Sequence, residues 1–480
     1  MKKSTKFLSV ILAAVMLIAP LTIGAGAAVK PSYDIRNPYA TVDFKKWQPY
    51  KAQLHCHTNA SDGYLSVNEV VQKHYNYDYD ILAITDHGTL NRGWNNVPQL
   101  IPILRLIKSE RTNFAAPVVP LTDDQYNGFL NGTAKATDGY KRTSKNGMID
   151  VPLGIELNMA TPVTDCHLTG YFADYGQGFA GVYGDYETPS KGVKDAGGIS
   201  MLSHVGEYVY PDKDSADYVG QPVDEYYVNK FARLFIENAG SSVGMGINSA
   251  TDAHTRCDRI LYDQILKKTI PYGVTPWAFS FSDSHNDTSI NDAYTIHYMP
   301  ELNNTELRTS MVTGTVFAVS HYSNGYELNG MQELPGYNDD PDTMDWDSND
   351  TPLVTNVVVD DENDTITIEG TDFNQITWVA DGEVLKRDTV SGGKATIDLN
   401  DYDFDYFVRF YITGDNGICY SQPFVVNKEG QVKNRVDIPK TQDLPSILRS
   451  VVTALDNAIF SRSIFVILFK FFALGYVANK

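Results

Sequence analysis

Six short motifs, HCHTNASDG, TDHG, GIEL, HLTGYF, SHVG and SDSH, follow one another between residues 55 and 285, each where an apolar strand should run into a loop. Together they supply His55, His57, Asp62, His87, Glu156, His167, His204, Asp283 and His285. Neutral imidazoles and carboxylates in that number suit two or three divalent ions held close together. A fold that uses them must bring many strand ends to one face.

The pattern between the motifs is consistent with that demand. Residues 49 to 90 read as a strand ending at LHCHT, an amphipathic helix around Val67 to Tyr75 and a second strand, DILAIT, ending at Asp86 and His87. This is a βαβ unit. Further strands are expected at VPLGIEL, CHLTGYF, GGISMLSH, AFSFSD and VFAVS, with helices near Ile101 to Ile107 and Asp258 to Lys267. Strands alternating with helices predict a parallel α/β barrel or sheet, whose chemistry collects at the carboxyl ends of the strands.

At 480 residues the chain is long for a single core. It opens on MKKSTKF, an apolar run from Leu8 to Ile23 and the small-residue stretch GAGAA, which reads as a secretory signal over 1–28 and predicts work outside the cytoplasm, with a cell-surface association if the tail attaches. The barrel is expected over 29–336. An irregular insertion at about 108–150 carries Lys141, Arg142 and Lys145 and could shape a pocket or be plain surface loop. An acidic linker follows at 337–352. Six short strands at 353–428, from VTNVVVD to SQPFVVN, predict a small all-β, immunoglobulin-like sandwich with no cluster of reactive side chains. A second linker, 429–447, leads to a hydrophobic and amphipathic helical tail at 448–480. The tail is interrupted by Lys470 and is short for a membrane span, so it predicts envelope or membrane-surface attachment, or docking on the sandwich.

A formal net charge of -20 excludes long nucleic acid as a first choice of partner, because such a surface repels the phosphate backbone. Four widely spaced cysteines with no CxxC pair argue against a disulfide scaffold. Cys56 sits between two histidines; since strand neighbours alternate faces, it should point into the packing.

The spacing assigns geometry to the donors. His55 and His57, two apart on a strand, project to one face, and Asp283 and His285 repeat that logic later. Asp62 can swing back from the SDG turn, His87 ends the adjacent strand, and Glu156 can bridge two ions, with His167 and His204 left for a third. A lone histidine at a strand end is usually an ordinary surface or core residue. Here six of the ten histidines fall within the series, which sets it apart from such a case. His74, His254, His297 and His321 match no motif and read as structural.

On these motifs, residues 50 to 325 resemble the PHP superfamily, metal-dependent phosphoesterases of the polymerase and histidinol phosphatase type. The nine donors match that family's ligand positions, with Asp62 where some members carry a histidine. The resemblance implies an α/β fold built as a distorted (β/α)7 TIM-like barrel, and two or three Zn, Mn or Fe ions as cofactors. It also implies a partition: His55, His57, Glu156 and Asp283 on a first ion, Asp62, His87 and His285 on a second, and Glu156, His167 and His204 on a third. Two such ions lower the pKa of a shared water from 15.7 toward ~7 and neutralise charge on a phosphoryl group. The expected activity is therefore a secreted phosphoesterase that cleaves a small phosphate mono- or diester, a nucleotide among the candidates, through a metal-bridging hydroxide. His87 and His204 are candidate catalytic groups, together with Asp86, cast as an acceptor that fixes an imidazole tautomer. Arg256, Arg259 and Arg142 are candidate phosphate contacts, each weighed against ordinary surface charge. The alternatives are hydrolysis of a carboxyl ester, carbamate or amide at the same site, and a non-catalytic surface-binding protein.

Overall fold

The computed structural model describes residues 32–97, 118–157, 166–176, 185–209, 220–248, 257–323, 325, 327–328, 350–428 and 430–440. The leader at 1–28, the helix expected near Ile101 to Ile107, His254, Arg256, nearly all of the acidic linker and the tail at 448–480 lie outside the described residues.

The described chain opens with β1 (Tyr33–Arg36), then β2 (Gln48–Gln53), α1 (Val67–Asn76) and β3 (Ile81–Leu82), with β2 and β3 parallel as the βαβ reading requires. Helix α1 starts at a capping box in which Ser66 and Glu69 satisfy each other's backbone groups, and it buries Val67, Val70, Val71, His74 and Tyr75. That is the i, i+3, i+4, i+7, i+8 stripe of a helix with one apolar face. The insertion contributes α2 (Asp123–Leu130) and leads into β4 (Ile149–Asp150), parallel to β3.

Next come β5 (Ile155–Leu157), β6 (Leu168–Tyr171), α3 (Glu187–Asp195), β7 (Ile199–Leu202), α4 (Glu225–Glu237), β8 (Ser242–Gly246), α5 (Asp258–Thr269) and β9 (Trp277–Phe279). Strands β5 to β9 form one five-stranded sheet in sequence order. β10 (Ala293–Met299), α6 (Asn304–Thr313) and β11 (Val316–Ser320) return the chain to β2.

The closed seven-stranded barrel expected from the sequence is not formed. β6 runs antiparallel to both β5 and β7, so the strands are not uniformly parallel. Here the regular ladders form two separate sheets, and among the described residues the β-bridges between them are two isolated ones, His87 with Glu156 and Cys56 with Ser284. Gly154 permits the first approach, since a methyl group there would lie 2.4 Å from the Ile84 carbonyl oxygen.

The C-terminal region contains eight strands rather than six: β12 (Leu353–Asp360), β13 (Thr365–Thr371), β14 (Gln375–Ala380), β15 (Glu383–Thr389), β16 (Lys394–Asp398), β17 (Phe407–Gly414), β18 (Gly417–Tyr420) and β19 (Phe424–Lys428). β12, β13 and β16 make a three-stranded sheet. The others pair through β18 to β11, so one eleven-stranded sheet runs from β4 into the C-terminal strands. β1 pairs with β19, which ties the start of the described chain to its C-terminal part. The sandwich expected as a free-standing domain is thus hydrogen-bonded into the body that carries the motifs. The second expected linker also lies against that body: Arg233 donates to the Ile438 carbonyl, and Tyr272 to that of Val436.

A buried charge network reinforces this junction. Arg409 on β17 grips Asp263 on α5 with two hydrogen bonds of 2.9 and 2.7 Å and reaches Glu327 at 2.7 Å, while Arg259 on α5 donates to Glu327 at 2.9 Å. Burial pushes the Glu327 carboxyl up, but Arg409 and Arg259 outweigh it and hold it below the usual range. Arg409→Leu strands Asp263 as an unpaired buried charge and should cost about 3–5 kcal/mol, read as a lower midpoint in denaturant titration.

Candidate metal centre

Both bridges between the sheets fall at the motifs, and they gather the donors. Past β2 the chain stays extended through His57, so His55 and His57 face inward while the Cys56 thiol turns back to the Ala83 carbonyl. The turn that follows is built on Asp86, whose carboxylate accepts from the Thr58 N–H, the Thr58 hydroxyl and the Ser61 hydroxyl, each at 2.7 Å. Gly63 packs so closely that a methyl group would lie 2.8 Å from the His57 carbonyl. The turn delivers Asp62 between three imidazoles: Oδ1 lies 3.6 Å from His57 Nδ1 and 3.4 Å from His285 Nε2, and Oδ2 lies 3.6 Å from His87 Nε2.

Glu156 sits at the middle, fully buried. Its Oε1 is 2.9 Å from His167 Nδ1, 3.4 Å from His204 Nε2 and 3.6 Å from His55 Nε2; its Oε2 is 3.0 Å from His87 Nδ1 and 3.2 Å from His57 Nε2. Asp283 faces the same group from the other seam, with Oδ1 2.9 Å from His57 Nε2 and 3.2 Å from His55 Nε2. His204 and Asp283 hold φ angles of 29° and 50°, a region that non-glycine residues seldom occupy and that collects at functional sites.

A neighbouring acceptor orients one imidazole, and a hydroxyl meets another. His285 Nδ1 lies 2.9 Å from the Asp283 carbonyl, which can only accept, so that Nδ1 carries the hydrogen and the Nε2 lone pair faces Asp62. His55 Nδ1 lies 2.7 Å from the Thr85 hydroxyl, which can accept its hydrogen while donating to the Cys56 carbonyl. Burial pushes the His55 imidazole down to about 4, although Asp283 and Glu156 pull the other way. Burial also opposes ionisation of Glu156, but His87, His167 and His55 prevail and hold its carboxyl well below the ordinary range. At His57 burial opposes the charged form, yet Asp283 and Glu156 raise its pKa well above the usual value. A pocket that draws a proton onto an imidazole this deeply buried is one that favours a cation.

The donor set fits divalent metal. His55 Nε2, His57 Nε2, His285 Nε2 and both Glu156 oxygens are buried and make no hydrogen bond, a costly state unless a cation meets them. Donor atoms cluster in four overlapping groups: His57, Asp62, His87 and His285; His55, His57 and Glu156; His55, His204 and Asp283; and His87, Glu156 and His167. All nine expected residues are brought together, and the groups share members, so proximity alone does not divide the donors among ions.

Asp86 and two arginines depart from expectation. Asp86 bonds to the 58–61 turn rather than to an imidazole, so it acts by shaping the loop that carries Asp62. Arg259 is locked in the buried charge network, and Arg142 bonds to the Tyr75, Tyr79 and Asn146 carbonyls and to Asp80; neither is offered to a phosphate. His74, His297 and His321 are structural, bonded at Nδ1 to the Val70 carbonyl, the Ser310 hydroxyl and the Asn416 carbonyl. All four cysteines are buried and unpaired with one another.

A family model of the PHP domain matches residues 53–240. No curated protein matches the sequence significantly. Among solved structures, the chain is similar to a two-domain protein from Bacteroides vulgatus containing a predicted PHP-like metal-dependent phosphoesterase, at 14% identity and a TM-score of 0.38, over 83% of this chain and 100% of that one. It is also similar to an amidohydrolase from Chromobacterium violaceum, at 13% identity and a TM-score of 0.27, over 49% of this chain and 87% of that one. A third similar structure is a lesion-specific endonuclease from Pyrococcus furiosus, at 9% identity and a TM-score of 0.29, covering 55% of this chain and 56% of that one.

If Asp86 serves the centre by holding the turn, Asp86→Ala should weaken metal affinity by about 10–100-fold with the fold retained. Elemental analysis after dialysis against graded chelator, beside circular dichroism, reads both quantities; full metal retention by the variant would refute the role.

Proposed function

We propose, from the premise that residues 53–240 are a PHP domain, that the chain is a metal-dependent hydrolase of small phosphate esters working outside the cytoplasm. The observation that carries this reading is the convergence of nine imidazole and carboxylate side chains, Glu156 at their middle, several with buried lone pairs that no hydrogen bond satisfies. When bound, two or three Zn, Mn or Fe ions supply an acidified water for attack and positive charge opposite the phosphoryl oxygens. His55, His57, Asp62, His87, Glu156, His167, His204, Asp283 and His285 would hold them, with Asp283 and His285 on the more exposed side.

The chain's own residues do the rest by position. The Asp283 carbonyl keeps His285 in the tautomer that presents Nε2 inward, and the Thr85 hydroxyl meets His55 at Nδ1. The two sheets clamp the donors from opposite seams, so the site is organised before substrate arrives and pays little reorganisation during the reaction. A phosphoester suits this arrangement because its charge calls for clustered cations. The surplus of acidic residues across the chain disfavours a long polyanion and favours a small substrate that enters a local pocket. Secretion rests on the leader at residues 1–28, and envelope attachment on the tail; among the described residues no helix is long and apolar enough to cross a membrane.

Metal-replete protein should release phosphate or alcohol from some members of a panel of small phosphomonoesters and diesters, and chelation should abolish it. Glu156→Gln should lower kcat/KM by about a thousandfold or more, since the same oxygens contact five imidazoles and no other group can replace them. Turnover confined to acyl esters or amides would replace the phosphoesterase reading with the acyl one. Turnover of none would leave a binding protein.

A further inference from the structure

Exposure among the nine donors rises toward one side. The side chains of His55, His57, Asp62, His87 and Glu156 are 4% exposed or less, those of His204 and His167 8% and 9%, and those of Asp283 and His285 12% and 21%. Solvent, and so substrate, reaches the donors most from the Asp283 and His285 side.

Tyr64 adjoins that side through its backbone bond to His285. Every residue from Tyr50 to Gly63 is buried, and the run breaks at Tyr64, which is 53% exposed. Its backbone is not free to move aside. The Tyr64 N–H donates to the His285 carbonyl at 2.7 Å, the Gly63 N–H donates to the Thr58 carbonyl at 3.0 Å, and the Leu65 carbonyl accepts from the Asn59 N–H at 2.8 Å. Tyr64 is thus pinned between the loop that carries Asp62 and the loop that carries Asp283 and His285. Leaving a large aromatic side chain in water on a rigid turn next to the most exposed donor forgoes the burial that its neighbours obtain.

We propose that Tyr64 is a stacking platform for a planar aromatic ring of the substrate while its ester enters the donor pocket. This inference rests on the hydrolase reading above and narrows it to phosphate esters whose alcohol carries such a ring, with a nucleoside monophosphate as the representative probe. An aromatic face binds any flat ring through dispersion and quadrupole attraction, so the platform selects for a ring without reading its identity.

Adenosine 5′-monophosphate and ribose 5-phosphate share the ester and the sugar and differ by the base, so their ratio isolates the platform. In metal-loaded protein, kcat/KM for the first should exceed that for the second by roughly tenfold, mainly through KM, which is what one stacked ring is worth. Tyr64→Ala should bring the ratio to about one, while Tyr64→Phe and Tyr64→Trp keep it. Metal content per chain, by elemental analysis, should stay at the wild-type level in all three. A ratio near one in the wild type, or one unchanged in Tyr64→Ala, overturns the inference. A fall for both substrates together in Tyr64→Ala overturns it too, as the mark of a structural role. Calorimetric binding of both compounds separates the two readings. Tighter, Tyr64-dependent binding of the ring-bearing compound without hydrolysis of any phosphoester sinks the hydrolase reading and keeps the platform. Hydrolysis with no dependence on the ring does the reverse.

Discussion

Glu156 is the point on which this architecture turns. A carboxylate with no exposure to water must be paid for by opposite charge or strong donors, and here five imidazoles within 3.6 Å surround its two oxygens. Neutral imidazoles carry no charge to balance it, and burial holds His55 toward that neutral form. The cluster is therefore complementary to positive charge. That requirement fixes the positions of the strand ends that carry it.

The irregularities of the fold follow from the same requirement. A regular closed ladder would give each strand end to its neighbour; here the ladders break off, and single bridges at His87 with Glu156 and Cys56 with Ser284 hold the seams. Those four residues are donors or lie next to donors. The left-handed backbone at His204 and Asp283 belongs to the same trade, in which local strain is tolerated where the side chain must aim inward.

The donors were legible because strand geometry writes them locally. HxH at 55–57 and DxH at 283–285 place two side chains on one face whatever the rest of the chain does. The expected βαβ unit, the helix from Asp258 and the short C-terminal strands were legible for the same reason, through their periodicity. What stayed hidden depends on distant partners. Arg259 looks like a loose surface cation in sequence, and only the approach of Glu327, 68 residues away, makes it a buried structural group. Arg409 finds Asp263 across 146 residues. Nor could β1 be assigned to the C-terminal strands without knowing that β19 left an edge for it.

The sharpest consequence of the hidden contacts concerns the C-terminal strands, which read in sequence as an appended module. Gln422, between β18 and β19, is fully buried; its Oε1 accepts from the Ala278 N–H at 2.7 Å and its Nε2 donates to the Ala278 carbonyl at 2.8 Å. A side-chain amide here does the work of a neighbouring strand for β9, and β9 runs directly into Asp283 and His285. Such a two-point bond fixes both the height and the rotation of the strand, as one ladder rung does. With Arg409 anchored to α5 in the same body, the C-terminal strands brace the segment that supplies two of the nine donors. The region that carries no reactive cluster of its own is thus structurally continuous with the metal centre, and the centre's geometry depends on residues more than a hundred positions downstream of its last donor.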